Sequence, residues 1–238
     1  MLVILATLFF VFASQNQQLV WLTPAEFARA DHPGLLTQLK YKLINLAGPL
    51  MRSYRGHRPN SMVSVNIFTS ASPGASPVLG TTLVAGTNDG ANAWILSPEE
   101  LNAFWQRLKT NSSISFLSGM NMVTHDGTGA TAATGGRIFS SVTTGIYTNT
   151  GTSVAVLPEA SAGMVNMLIN ARSTELPAFA ASNSPVAKTN FSTACRAFVP
   201  DAGALVLHCH NADPANPTNY WLIISPALVD AAGQRIKK

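Results

Sequence analysis

The 238-residue sequence is poor in charge: only 11% of its residues are Asp, Glu, Lys or Arg, less than half of the roughly 25% that a soluble domain carries. Only eleven are acidic. Glu99 and Glu100 fall at a helix start and Asp126, Asp201 and Asp230 in turns, so little is left for paired-carboxylate chemistry or for the convergent oxygens of a calcium cage. There is no P-loop and no glycine-rich strand-to-helix fingerprint, so no nucleotide cofactor is expected. Only two cysteines, Cys195 and Cys209, are present, which excludes a disulfide-dense scaffold and a four-cysteine zinc module. No apolar run reaches the roughly 20 residues that a membrane-spanning helix needs.

What is there is hydrophobic and small. At 47% hydrophobic residues the chain can bury a substantial core, and Ser, Thr, Asn, Gly and Ala crowd residues 110–195. This mix fits a secreted or envelope β protein better than a cytosolic enzyme. The net charge of +4 comes from Arg29, Lys40, Lys42, Arg52, Arg55 and Arg58 near the N-terminus. No basic surface with reading elements follows, so nucleic acid is not an expected partner. Residues 2–12, LVILATLFFVF, followed by Ala13 and Ser14, resemble the apolar core and cleavage region of an export signal. Residues 1–15 are therefore expected to be a signal peptide or N-terminal anchor.

Thr23, Pro24 and Glu26 form a capping-box pattern that starts a short helix. Leu36, Leu39, Leu43, Leu46 and Leu50 recur at helical spacing, so residues 16–58 read as a helical region and linker. A β-rich domain over 59–238 follows, with strands expected at Met62–Thr69 and Val78–Val84. The sharpest local signal is LSPEELNAFWQRLK: Ser97 caps, Pro98 takes the first helical position and Glu100 completes a second capping box. Leu101, Phe104, Trp105 and Leu108 then share one face, predicting a helix packed on a sheet. Beyond it, strands are expected at Ile114–Leu117, Asn121–Thr124, a Thr/Ala run to Ala133, Ser153–Leu157, Met164–Ala171, Thr193–Val199, Ala204–His210 and Tyr220–Val229. Asp126–Gly127 reads as a hairpin turn.

Two places could carry chemistry. His125 beside Asp126 supplies two members of a catalytic triad, but no strained nucleophile turn accompanies them, so a polar turn is the simpler reading. His208, Cys209 and His210 could hold zinc or copper with Cys195. Strand alternation, however, places the two histidines on one face and Cys209 on the other. Folding the segment about Pro200–Gly203 sets Val199 opposite Leu205, Ala197 opposite Leu207 and Cys195 opposite Cys209. The alternation favours this register. Directly opposed Cα atoms about 4.5 Å apart suit a bridge, so a Cys195–Cys209 disulfide is predicted.

Read in order, the strands of residues 96–238 resemble the secretin domain, the β-rich module of outer-membrane channels of type II and type III secretion and type IV pilus systems. Asp126 and Gly127 stand where the family has its Asp/Asn-Gly turn. Gly151, Val154, Val156 and Pro158 match a G-x-x-L-x-V-x-P strand, Asp201 and Gly203 a second turn, and Ser225 and Pro226 the closing strand. About fifteen residues separate Gly136 from Gly151, where the family places its membrane-lip and gate hairpins. The resemblance implies an α+β, β-rich antiparallel fold with a packed helix. It implies no catalytic residue, no cofactor and no bound metal, and a structural role in an envelope secretion or pilus-type assembly. Homo-oligomers or other secretion subunits are then the expected partners, with membrane association and a periplasmic or outer-membrane location. The alternatives are a secreted β-rich binding module and a metal-dependent or serine hydrolase using His125 or His208 and His210.

Overall fold

The computed structural model describes residues 19–31, 60–71, 91–141, 146–161, 163–175, 188–211, 218–230 and 232–236. The expected signal segment, the leucine-striped helix and the Val78–Val84 strand lie outside them.

Ten strands and two helices follow one another: β1 (Leu19–Trp21), α1 (Pro24–Asp31), β2 (Asn60–Ser70), β3 (Asn92–Leu96), α2 (Pro98–Thr110), β4 (Ser115–His125), β5 (Ala130–Ser141), β6 (Ile146–Ser161), β7 (Met164–Glu175), β8 (Lys188–Pro200), β9 (Ala204–His210) and β10 (Asn219–Val229). All pairings are antiparallel. They build sheet A, in the order β1-β8-β7-β6-β5, and sheet B, in the order β3-β9-β10-β2-β4. The fold is thus β-rich, with few helices, as the sequence predicts. Part of the 16–58 segment enters the β domain itself, because Leu19–Trp21 pairs with β8.

The helices start where their caps dictate. Ser97 Oγ accepts the Glu100 N–H while the Glu100 carboxylate accepts the Ser97 N–H, a reciprocal cap that satisfies two orphan donors. Thr23 and Glu26 repeat the arrangement at α1, and those bonds, the one to the Thr23 backbone foremost, hold the exposed Glu26 carboxyl below its usual value.

Alternation decides what each sheet buries. On β2, Val63, Val65 and Ile67 point between the sheets, as do Val154 and Val156 on β6, Val165, Met167 and Ile169 on β7, and Leu222 and Ile224 on β10. These side chains form one core shared by both sheets. The opposite face of sheet B is also apolar: Leu96, Ala204, Val206, Trp221 and Ile223 pack against Leu101, Phe104 and Leu108 of α2. This explains why β9 is buried on both faces over Ala204–Cys209, and why its sequence reads as a continuous apolar run.

The two predicted hairpins are not hairpins. The chain turns at Asp126–Gly127 from β4 in sheet B to β5 in sheet A, and at Asp201–Ala202 from β8 in sheet A to β9 in sheet B. β8 instead pairs with β1 and β7, and β9 with β3 and β10. The Ile114–Leu117 and Asn121–Thr124 expectations merge into one strand, β4, whose bulge at Leu117 lets Phe116 pair with Phe68 and Ser118 with Ile67. The Thr/Ala strand continues past Ala133 to Ser141, and β6 begins at Ile146, forming a hairpin across the short interval. Exchanging β4, β5, β6 and β7 with β8, β9, β10 and β2 converts the order β8-β7-β6-β5 into β4-β2-β10-β9, so four strands of each sheet repeat one arrangement, while β1 and β3 are added on the same flank and fall outside the repeat.

Candidate functional site

The corners are built alike. In the first, Thr128 N–H donates to the His125 carbonyl at 2.9 Å; in the second, Gly203 N–H donates to the Pro200 carbonyl at 2.8 Å. The third residue of each turn has positive φ, 73° at Gly127 and 62° at Ala202, as a type II turn requires. That residue's N–H then reaches a proline carbonyl on another strand: Gly127 to Pro158 on β6 at 2.8 Å, Ala202 to Pro226 on β10 at 2.9 Å. The aspartate accepts from the residue two beyond that proline: Ala160 N–H to Asp126 Oδ1 at 2.6 Å, Leu228 N–H to Asp201 Oδ1 at 2.9 Å. Each corner is thereby pinned to the neighbouring strand by a neutral and a charge-assisted hydrogen bond. Asp201 N–H also donates to the Gly163 carbonyl at 3.0 Å. A Cβ at Gly203 would run into the Leu96 carbonyl oxygen, which explains the glycine there.

Gly151 lies opposite Gly135. Both have positive φ, 106° and 127°, and a Cβ on either would strike the carbonyl oxygen of Thr134 or Thr150 and the other glycine's Cα. Two backbones touch there, at the base of the β5–β6 hairpin. The matched pattern had singled out Gly151 alone; the Gly135–Gly136 doublet was the available signal for its partner. Ser225 stands opposite Ser64 on β2, and Pro226 opposite Val63.

The residues proposed for chemistry have other surroundings. His125 Nδ1 meets Asn60 Oδ1 at 2.7 Å, tying the end of β4 to the start of β2, while the Asp126 carboxylate holds the corner. Cys209 points into the inter-sheet core and His208 away from it, so a zinc or copper cluster of both residue types, already disfavoured by strand alternation, does not assemble. Among the described residues no three His, Cys, Asp or Glu side chains form a metal-binding group.

The cysteine pairing needs correction in its register. Val199, Ala197 and Cys195 do share an apolar face with Leu205, Leu207 and Cys209. They do so across the sandwich rather than along one hairpin, since Cys195 pairs with Ile169 and Trp21 and Cys209 with Tyr220. The two side chains thus face the shared core from opposite sheets. Both cysteines are free thiols here. Burial pushes the Cys195 thiol up to about 12; burial first, then the charge of Cys195, does the same to Cys209.

The surface feature that sequence reasoning missed is a flank. β4 and β5 are the terminal strands of their sheets on the same side of the sandwich, and β1 and β3 on the other. Among the described residues no strand pairs with the outer edges of β4 and β5. Edge strands are usually blunted by charge, proline or brevity. β4 has eleven residues, SFLSGMNMVTH, with no Lys, Arg, Asp, Glu or Pro. Phe116 and Val123 are each 61% exposed and Leu117 is 51% exposed. Phe116 continues an aromatic row, its ring 5.3 Å from Phe68, which in turn lies 5.7 Å from Trp105 of α2.

No known family model matches the sequence, and no curated protein is significantly similar to it. Several solved structures are similar in arrangement. A pilotin–secretin AspS–GspD complex from ETEC is 12% identical with a TM-score of 0.48, covering 81% of this chain and 54% of that one. The Klebsiella pneumoniae type II secretion system outer membrane complex of PulD, PulS and the PulC HR domain is 15% identical, TM-score 0.45, covering 79% and 43%. The V. cholerae type IV competence pilus secretin PilQ is 10% identical, TM-score 0.42, covering 79% and 65%. The chain spans about half the length of the first two.

Proposed function

We propose that this chain is a secretin-like structural subunit of an envelope secretion or pilus-type assembly, and that it is exported and works by joining further copies of itself edge to edge. The observation that carries this reading is the β4–β5 flank. Two long terminal strands lie side by side, one is free of the residues that normally blunt an edge, and three large apolar side chains stand exposed on it.

An edge of this kind offers a row of backbone donors and acceptors to another strand. The opposite flank presents β1 and β3, which are short, and beside β1 the Lys188–Ala194 stretch of β8. Pairing of unlike flanks is a heterologous contact, which repeats and closes into a ring when the rotation allows. The quoted secretin pattern, from Asp126–Gly127 through Ser225–Pro226, supports the same reading independently. The corners, the glycine pair and the capped helix would serve the architecture rather than a reaction, so the chain is proposed not to be an enzyme.

The test is size after detergent extraction. A many-subunit species is expected for the wild type, with Val123→Lys and Leu117→Lys together yielding a folded species of lower order. A wild-type chain that is a stable monomer at all accessible concentrations would overturn the assembly reading and leave the binding-module alternative.

A further inference from the structure

At the end of β9 away from the corner, His208 and His210 stand on one face of the strand. Their rings are 4.3 Å apart between centroids and inclined at 66°. His208 is nearly buried and lies flat on Trp221, at 4.0 Å and 10°, so its plane is fixed. Its tautomer is fixed as well. Asn219 Nδ2 donates to the Ser70 carbonyl at 3.4 Å, which turns Asn219 Oδ1 toward His208 Nε2 at 3.1 Å. Nε2 therefore carries the proton and Nδ1 the lone pair. Burial, then the neighbouring His210, lower the His208 pKa to about 4, against the opposing pull of Asn219.

This is the arrangement that metal-binding histidines share: one nitrogen held by an oxygen acceptor, the other presented unprotonated. An ion bound at about 2.0 Å from a ring nitrogen along its lone pair stands roughly 3.1 Å from the ring centre. Two centres at the observed spacing then subtend roughly 85–90° at the ion, the cis angle of tetragonal copper(II) or nickel(II) rather than the wider angle of a tetrahedron.

We propose that His208 and His210 bind a divalent transition-metal ion, copper(II) in preference to zinc, as a two-imidazole site whose remaining positions are filled by water. Asn219 is a positioning residue, acting through His208. The proposal stands apart from the assembly reading, since His208 and His210 lie on β9, separated from the β4 edge by β10 and β2, and its readout is metal binding rather than size.

The experiment is titration of copper(II) chloride into the full chain near neutral pH, followed by calorimetry and electron paramagnetic resonance. One ion per chain is expected, with hyperfine structure from two imidazole nitrogens. His210→Ala, at an exposed position, is expected to lose at least tenfold in affinity. His208→Phe keeps an aromatic ring on Trp221 and loses a similar factor, and Asn219→Ala loses roughly tenfold or more. Circular dichroism checks that each variant is folded. The other three histidines remain in the His208→Phe/His210→Ala double variant, so equal affinity in that variant and the wild type overturns the proposal. A single-imidazole spectrum in the wild type also overturns it.

Discussion

The corner at Asp126 and the corner at Asp201 make the same set of hydrogen bonds with different residues at the positive-φ position, Gly127 in one and Ala202 in the other. Beyond the corners the two sheets diverge. Sheet B buries both faces, one in the shared core and one under α2, whereas the outer face of sheet A mixes polar and small residues such as Ser153, Asn166, Asn170 and Ser192 and is covered only in part, where α1 lies against β7 and β8 and Leu168 and Ala194 are buried. What repeats is the backbone geometry that moves the chain between layers. What differs is the side chains that decide whether a layer is covered or left to solvent.

The largest expected effect tests that difference. Phe104→Ala empties the centre of the α2 interface and should cost about 3–5 kcal/mol, measured by urea unfolding. Leu157→Ala, on the half-buried outer side of sheet A, should cost much less; equal costs would mean that both sheets are covered.

The corners come next. Asp126→Ala and Asp201→Ala each remove a charge-assisted acceptor from a partly buried backbone N–H, at about 1.5–3 kcal/mol apiece. Their double mutant should add nearly linearly if the corners act independently. A much larger loss at one corner would break the equivalence.

Smaller still is the exchange at the third turn position. Gly127→Ala forces an L side chain into the left-handed region at about 1–2 kcal/mol, while Ala202→Gly should lie between neutral and about 1 kcal/mol stabilising. Opposite signs are expected in paired thermal melts.

The last prediction concerns pH. The folded-state pKa of His208 is lowered to about 4, below the unfolded value of about 6.5. Its neutral form is therefore favoured by folding, and this contribution is present above pH 6.5 and lost as pH falls towards 4. The melting temperature of the wild type should fall across that window more steeply than that of His208→Phe.

Features set by neighbours in sequence were legible. The caps at Thr23 and Ser97 involve residues three apart, and the alternation of β2 and β9 shows which side chains go inward. Sheet membership was not, because an Asp-Gly turn looks the same whether the chain pairs back on itself or crosses to another layer. The crossing is decided by Pro158 and Pro226, far along the chain, whose carbonyls receive the turn's N–H. For the same reason the apolar face of Cys195 and Cys209 was legible while their placement on different sheets was not. The histidine pair followed from strand alternation, but its fixed tautomer depends on Asn219 and Ser70, which no local pattern links to it. The open flank depends on the full strand order.

Among the described residues the two turns that cross directly between the sheets, β4 to β5 and β8 to β9, lie at one end of the sandwich, whereas at the other end β5 and β6, β7 and β8, and β9 and β10 are consecutive strands of one sheet. The sheets are thus bound like the covers of a book, with Asp126 and Asp201 in the spine. Near the spine the pages meet through Val63, Val165, Val199 and Leu205; toward the opposite margin the inner face of β6 and β7 turns to Thr152 and Ser173, whose hydroxyls bond each other at 3.2 Å, beside Phe191 packed on Tyr220. When the sandwich opens, it should open from that margin. The amides of β6 and β7 around Thr152 and Ser173 would then exchange before those around Val156 and Val165, a gradient along single strands rather than between them.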